Sequence, residues 1–493
     1  MRKLNLAAKL CGVFLLFTAA AVALSAQTFT TLYGFTASEG NQPYAGLVQG
    51  VDGDLYGTTF YGRGSCTEDD YGCGTIFKIT PTGTLTTLHQ FNGSDGYSPM
   101  AALIQGTDGN FYGTTSDGGA EGIYSYGTVF EVTPGGTLTT LHSFETTDGN
   151  FPFAGLTEGA DHSFYGTTER GGANGGGTVF KITPGGTLTT LYNFCPGQQS
   201  CPDGREPSAS LVLASDGNFY GTTYYGRANI CGAQQEQCGT VFEIIPSGAL
   251  TTLYNFSGAD GASPDAGLVQ GIDGNFYGTT VQGGSNHSCY YGSGCGTVFK
   301  ITPNGTLTTL HNFCSQPGCP GGYGPTAGLV QGTDGNFYGT LSDGKSGVTG
   351  AIFSFTSTGT LSTLHTFDGT DGAVPYGGLV QGTDRNFYGT TSAGGNHGCA
   401  FGGCGTVFSV SVGLGPFVET NPVAGKVGAK VGILGTDLTG ATSVTFNGTA
   451  ADFKVRSQTL IVAEVPSGAT TGTVQVQLPS GPLSSNVLLI VLP

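Results

Sequence analysis

Thr28-Phe-Thr-Thr-Leu-Tyr-Gly-Phe35 decides the architecture of this chain. The same pattern, Thr-Leu-Thr-Thr-Leu-(His/Tyr)-x-Phe, begins again at Thr84, Thr137, Thr187, Ala249, Thr306 and Thr360, each time as the last segment of a four-segment repeat. A seventh repeat stops after Gly405-Thr-Val-Phe408 with no copy of its own, and the copy it lacks is the one at the start. A ring closed by a borrowed strand requires such a displacement. A linear solenoid, whose ends never meet, has no use for it.

The other three segments lie outward from this one. Phe-Tyr-Gly recurs at Phe111, Phe164, Phe219, Phe276, Phe337 and Phe387, with Leu55-Tyr56-Gly57 as a seventh copy, and the tyrosines are 50 to 61 residues apart. Each copy follows a segment such as Ala266-Gly-Leu-Val-Gln-Gly271 and precedes a Gly-Thr-Val-Phe-like one, for example Gly296 to Phe299 or the variant Gly350-Ala-Ile-Phe353. The segments are short and rich in β-branched and aromatic residues, as strands are. Asp-Gly turns at Asp52, Asp108, Asp216, Asp273 and Asp334 link the first to the second, with departures at Asp161-His162 and Asp384-Arg385. Such turns favour tight hairpins. Four antiparallel strands, seven times round, predict a seven-bladed β-propeller over residues 27–413, closed by an N-terminal strand. Helical periodicity is absent after residue 26.

The strings Leu-Val-Gln-Gly-Thr-Asp-Gly-Asn-Phe-Tyr-Gly-Thr-Thr and Gly-Thr-Val-Phe-Lys-Ile-Thr-Pro resemble the GloVer tandem-repeat family of exported bacterial proteins over about residues 28–412. That resemblance implies a surface-associated protein and little about activity. The Asp-Gly-Asn-Phe-Tyr-Gly-Thr core is also similar to propeller blades of two-component sensor ectodomains, with tyrosine where those usually carry tryptophan. From Pro416 the repeat stops. Val431-Gly-Ile-Leu-Gly-Thr436, Ala441 to Gly448 and Val465 to Gly472 resemble the IPT/TIG immunoglobulin-like domain, which implies a β-sandwich over residues 416–493 serving as spacer or interaction module.

Composition narrows the function. Glycine supplies 89 of 493 residues, with no every-third-residue spacing, so the chain is not collagen. The formal charge is −17, and it becomes about −20 if Arg2, Lys3 and Lys9 are removed. A surface this acidic repels phosphate backbones and excludes nucleic acid as a partner. Those three cations precede an apolar stretch, Leu10 to Leu24, and then Ser25-Ala26, which together read as a signal peptide over residues 1–26. No later stretch is long and apolar enough to span a membrane. The expected location is secreted, periplasmic or at the cell surface.

Beyond Cys11, twelve cysteines fall into local pairs: Cys66/Cys73, Cys195/Cys201, Cys231/Cys238, Cys289/Cys295, Cys314/Cys319 and Cys399/Cys404. In an exported chain such pairs read as disulfides. The competing reading is zinc, which needs closely spaced cysteines converging in fours. Spacing disfavours it, because most pairs are far apart along the chain.

Catalytic chemistry is thin. His89, His142, His311 and His365 share one repeat position with Tyr33, Tyr192 and Tyr254, which suits a packed ring. Glu39, Asp95, Asp148, Asp203, Asp260 and Asp371 recur as (Asp/Glu)-Gly-x-x-Pro, and the remaining connection, Gly321-Gly-Tyr-Gly-Pro325, lacks the acid. Turn formation is the favoured role for these acids, and calcium is the cation such a rim would suit. No irregular His, Ser or carboxylate constellation stands out against the sevenfold pattern, so no catalytic residue and no cofactor are expected. The loop after strand two and the connection after strand four share one face in a four-stranded meander. The cysteine pairs lie there, with Tyr61, Tyr71, Tyr224, Tyr225, Tyr290, Tyr291 and Phe401 as candidate ligand-contacting aromatics. The expected function is a non-catalytic binding or structural protein that presents this stapled face to a polar ligand, carbohydrate in particular, with a surface glycan or protein as partner. The alternative is a propeller hydrolase or lyase acting on polysaccharide.

Overall fold

A computed structural model describes residues 27–492 except 63–65, 67–71, 123–124, 197–200, 227–229, 232–235, 287, 290–291, 316–318, 320–321, 345–348, 396–397 and 400–401. The expected signal segment therefore lies outside the described residues. Between Thr28 and Ser411, seven four-stranded antiparallel sheets follow one another. The first holds Val48–Gln49, Leu55–Thr59, Thr75–Ile79 and Leu85–Gln90, hydrogen-bonded in that order. The seventh takes its outer strand from the start of the chain: Thr28–Gly34 pairs antiparallel with Thr406–Ser411, Thr28 opposite Ser411 and Gly34 opposite Thr406. The displaced copy thus covers what would be a bare sheet edge.

The Phe-Tyr-Gly strands are buried along their whole length because a neighbouring sheet presses on each face. The tyrosine hydroxyl reaches back four residues and donates to the turn aspartate in all seven repeats, from Tyr56 to Asp52 through Tyr388 to Asp384, at 2.5 to 3.3 Å. The same tyrosine ring stacks on the phenylalanine of the next blade, as Tyr112 does on Phe164 with ring centres 4.0 Å apart. The glycine that follows is required. A Cβ on Gly113 would lie 2.6 Å from the Phe130 ring and 2.7 Å from Leu103. The threonine after it donates across to the next blade, and Thr390 to the Ala45 carbonyl at 2.7 Å joins the seventh blade to the first. At the turn, five glycines adopt positive φ, and His162 (58°) and Arg385 (86°) adopt it in the two departures from Asp-Gly.

The C-terminal sandwich packs two four-stranded sheets, one with Val418–Asn421, Lys430–Gly435, Leu460–Glu464 and Phe453–Val455, the other with Ser443–Phe446 and Val474–Leu478 at its centre. Val431, Ile433, Phe446, Ile461 and Val476 form its core. The final strand of the sandwich is short. It spans Ile490–Leu492, pairs in parallel with Ala424–Lys426, and sends Ile490 and Leu492 into a cluster with propeller residues Leu213 and Phe219. The sandwich sits against the Asp-Gly turn end of the propeller. Thr436 donates to the Thr383 carbonyl at 2.9 Å, and Thr459 lies under Gly53. Among the described residues, no helix is long and apolar enough to cross a membrane.

Candidate functional site

In every repeat a tight approach to the propeller axis precedes the first strand: Pro43-Tyr-Ala-Gly-Leu47, Pro99-Met-Ala-Ala-Leu103, Pro152-Phe-Ala-Gly-Leu156, and so on to Pro375-Tyr-Gly-Gly-Leu379. The middle residues are small because seven backbones converge there. A Cβ on Gly46 would sit 3.0 Å from the Gly378 carbonyl, and one on Gly267 3.1 Å from that of Ser210. Ahead of the proline the backbone is left-handed in all seven copies, with φ of 53° at Ser263, 57° at Ser98 and Glu206, and 73° at Gly324. The carbonyl of that residue accepts from the loop after strand two, as Gln42 does from the Phe60 N–H at 3.0 Å and Glu206 from Tyr224 at 2.9 Å. Conformations this rare for a non-glycine residue often mark function. Here sevenfold repetition marks them as part of the frame.

The frame aims the residue after each proline into the mouth of the central channel, and this residue alone varies freely: Tyr44, Met100, Phe153, Ser208, Asp265, Thr326 and Tyr376. With Phe60, Glu169, Arg170, Glu206, Tyr224 and Tyr225 from adjoining loops they line an open cavity of about 660 Å³. This corrects the expectation that no irregular constellation breaks the pattern. Strand-level motifs hide the break because it occupies one position inside an otherwise constant Pro-x-(Ala/Gly) string.

The mouth has an aromatic side and an acidic side. Tyr44 lies between Phe60 and Tyr376, with ring centres 5.2 Å from each. Burial pushes the Tyr44 and Tyr376 phenols up, and at Tyr376 the carboxylates of Asp343 and Asp265 add to it. On the other side Asp265 accepts from the Ser208 hydroxyl at 2.7 Å, and burial raises its carboxyl. Protein surrounds Asp265 on every side but the cavity, so the direction of this shift follows from lost bulk solvation. Among the described residues no cation pairs with it. Burial also raises Glu169, with Glu206 and Asp265 adding to the effect and Arg170, 3.3 Å away, opposing it. Arg205 pairs with Glu206 at 2.9 Å and lies over the Tyr225 ring at 4.5 Å, so both arginines are engaged.

At the far end the sandwich packs on the first strands of the first three blades. Glu419, Thr420, Asn421, Pro422, Val423 and Leu434 of the sandwich meet Gln49, Gln105 and Glu158 of the propeller around a residual space of about 150 Å³. Burial in that seam pushes the Glu419 carboxyl up to about 7.

The sequence-predicted residues distribute as follows. Tyr224 and Tyr225 line the mouth. Tyr61 is one residue behind, its ring 4.6 Å from Phe60 and its backbone paired with Asn41. Tyr71, Tyr290, Tyr291 and Phe401 lie outside the described residues. Connection and strand-two loop do share one face: Arg205 pairs with Tyr225, Asn150 with Arg170, and Tyr323 with Asp343.

The six candidate calcium ligands do not converge. Each bonds the His or Tyr ring of its own outer strand: His89 to Asp95 at 3.0 Å, His142 to Asp148 at 2.8 Å, His365 to Asp371 at 2.7 Å, Tyr192 to Asp203 at 2.9 Å and Tyr254 to Asp260 at 2.5 Å, with Tyr33 on Glu39. The connection that lacks the acid follows His311, and burial lowers that imidazole instead. These acids tie strand four to its connection and are spent in doing so.

The Cα atoms of Cys66/Cys73, Cys289/Cys295, Cys314/Cys319 and Cys399/Cys404 are 5.3, 4.9, 4.4 and 5.1 Å apart, inside the usual disulfide range of about 4.4–6.8 Å. Cys201 departs from that range: its Cα lies only 4.2 Å from that of Cys195. Two features of the connection draw them together. Cys195 is left-handed, with φ of 64°, and its N–H donates to the Asp203 carboxylate at 3.2 Å. Cys201 shares the loop face with Cys195, as expected, but lies away from the mouth. It is buried, its carbonyl accepts from the Gly204 N–H at 3.2 Å, and neither Cys201 nor Cys195 lines the mouth. The physical reason is that Cys195 directly follows the outermost strand of its blade, the strand farthest from the axis. The Cys231 side chain, and with it the pairing to Cys238, lies outside the described residues.

The Gloeobacter/Verrucomicrobia repeat matches this sequence over residues 18–234, 198–408 and 289–440. The chain belongs to that family. An IPT/TIG domain matches residues 417–489, the span of the C-terminal sandwich. No curated protein matches the chain. Among solved structures, the repeat protein is similar to an extracellular domain described as that of a hybrid two-component system from B. thetaiotaomicron, at 11% identity and TM-score 0.47, over 94% of this chain and 58% of that one. It is also similar to a PQQ-bound aldose sugar dehydrogenase from Streptomyces coelicolor, at 14% identity and TM-score 0.36, over 78% and 98% of the two chains. A luciferin-regenerating enzyme matches at 13% identity and TM-score 0.40, over 79% and 97%. At these identities the likenesses concern the propeller fold, which hosts many unrelated functions.

Proposed function

We propose that the protein is a binding module of the cell surface or extracellular space that takes a polar, carbohydrate-type ligand at the channel mouth. One observation carries this reading. Sevenfold repetition is kept in the backbone of the mouth and abandoned in its side chains, which supply flat aromatic area on one side and carboxylates on the other. Tyrosine rings offer large contact surfaces at little entropic cost, and a few placed polar groups orient a ligand in a concave site.

A second reading is enzymatic. Asp265 and Glu169 share the cavity, burial raises both carboxyls, and two carboxyls in one cleft are the equipment of a hydrolase or lyase. One experiment addresses both. The full chain is screened against a polysaccharide and oligosaccharide panel, with binding and released products measured on the same samples. Binding without products supports the module, and products lost in Asp265→Asn support the enzyme. Tyr44→Ala and Tyr225→Ala are expected to weaken binding about tenfold or more, as loss of a central aromatic contact does. Asp108→Asn and Asp334→Asn, in the opposite turns, should leave binding unchanged. Weakening by the second pair alone would refute the mouth as the site.

A further inference from the structure

Cys289, Cys295, Cys314 and Cys319 meet in the fifth blade, all four buried, with their sulfurs within 4.8 Å of one another. Cys289 Sγ lies 3.5 Å from Cys314 Sγ, across the two sequence-local pairs. The frame explains the meeting. Cys295 stands two residues before the third strand, a position held by Cys73, Cys238 and Cys404 in other blades, and Cys314 follows the phenylalanine that ends the fourth segment, a position held by Cys195 in the third blade. The third blade shows that the two positions touch. Its residue at the same place, two before the third strand, is Gly176, and a Cβ there would fall 2.6 Å from the Cys195 Cβ. Only the fifth blade places sulfur at both positions, and each sulfur has a second one behind it.

The sulfurs are bonded within each local pair at 2.07 Å, and once those bonds are reduced four sulfurs in so small a volume can open to the spacing of about 3.8 Å that metal–sulfur bonds of about 2.3 Å set in a tetrahedral thiolate site. The surroundings are apolar, with Val298, Phe313, Leu329 and Leu341 packed against the cluster. Free thiolates would be costly there, whereas a bound dication offsets their charge. The Ser288 hydroxyl, 4.0 Å from Cys289 Sγ and 3.8 Å from Cys295 Sγ, offers one outer-shell donor. We propose that this cluster is a redox-governed metal site: two disulfides in the oxidised chain, and a tetrathiolate holding one Zn²⁺ in the reduced chain. Each disulfide takes two electrons and two protons from a dithiol reductant, which leaves as its own disulfide. Zinc then displaces the four thiol protons.

The test uses the full chain, reduced with excess dithiol under nitrogen, loaded with Zn²⁺ and desalted. About one zinc per chain should remain, Co²⁺ in its place should give the absorption of a tetrahedral tetrathiolate, and zinc should raise the melting temperature of the reduced chain. Cys289→Ser with Cys314→Ser should abolish all three effects, and Cys66→Ser with Cys73→Ser should leave them intact. The oxidised chain should retain no zinc. Equal retention in both variants, no retention in the reduced parent, zinc held by the oxidised chain, or a reduced chain that stays unfolded with zinc supplied would each overturn the proposal.

Discussion

The two ends of the channel are built from the same seven repeats and use them in opposite ways. At the turn end, every aspartate holds the tyrosine four residues on, and variation is confined to exchanges such as His162 and Arg385 for a turn glycine. At the mouth, the left-handed residue and its proline are equally regular, yet the next side chain is tyrosine, methionine, phenylalanine, serine, aspartate or threonine. A group that recurs in six or seven of the blades answers a demand of the ring itself. A group that appears once answers a demand from outside it. By that standard the turn acids and the acids of the outer connections belong to the frame, while Asp265, Glu169 and the Tyr44–Tyr376 pair belong to the site.

The comparison yields outcomes that differ in size. The largest concerns closure. Deleting Thr28–Phe35 bares the Thr406–Ser411 edge and should lower the melting temperature by roughly 10 °C or more, or cause aggregation. Unchanged melting would mean that the ring does not need its borrowed strand. Next is Gly113→Ala, whose methyl must displace Phe130 or Leu103. Chemical denaturation should register a loss of about 1–3 kcal/mol, as overpacking does.

The seam between propeller and sandwich should show in the pH profile. The folded-state value of Glu419, about 7, lies above its ordinary 4.5, so the folded chain holds the proton through that window. Its contribution to stability is therefore present below about pH 4.5 and lost as pH rises towards 7. Glu419→Gln should raise stability at neutral pH by about 2 kcal/mol and leave it unchanged at pH 4. A variant destabilised at neutral pH would mean that the carboxylate has an ionic partner there.

Smaller still is Tyr112→Phe, which frees Asp108 of a bond at 2.7 Å and should cost about 1 kcal/mol. The smallest effect belongs to the site. Tyr44→Ala and Tyr225→Ala should change stability by less than about 1 kcal/mol, since both rings face an open cavity, while ligand binding falls. If the mouth substitutions destabilised the protein as much as Gly113→Ala does, the division between frame and site would fail.

Periodicity by itself determined the strands, the antiparallel meander and the closure by the first segment. These depend on local patterning and turn chemistry, and seven repetitions make such signals unmistakable. The shared face of the strand-two loops and the strand-four connections was legible too, because strand polarity fixes it. How far along that face a residue lies from the axis was not: Cys195 and Cys201 share the face and stand at its outer strand, away from the mouth. The mouth was equally hidden. Tyr44, Asp265 and Tyr376 are separated by long stretches of chain, and each looks like an ordinary substitution within its own repeat. Only the convergence of seven backbones on one axis makes them neighbours. The pairing of His89 with Asp95 escaped for a related reason: the two belong to different sequence motifs, and only the fold of the connection lays one over the other. The same holds for the fifth-blade cysteines, where pair spacing along the chain argued against a four-sulfur cluster and the adjacency of a strand end and a strand start created one. Sequence distance governs what a turn can do, whereas blade closure decides which distant residues share a cavity.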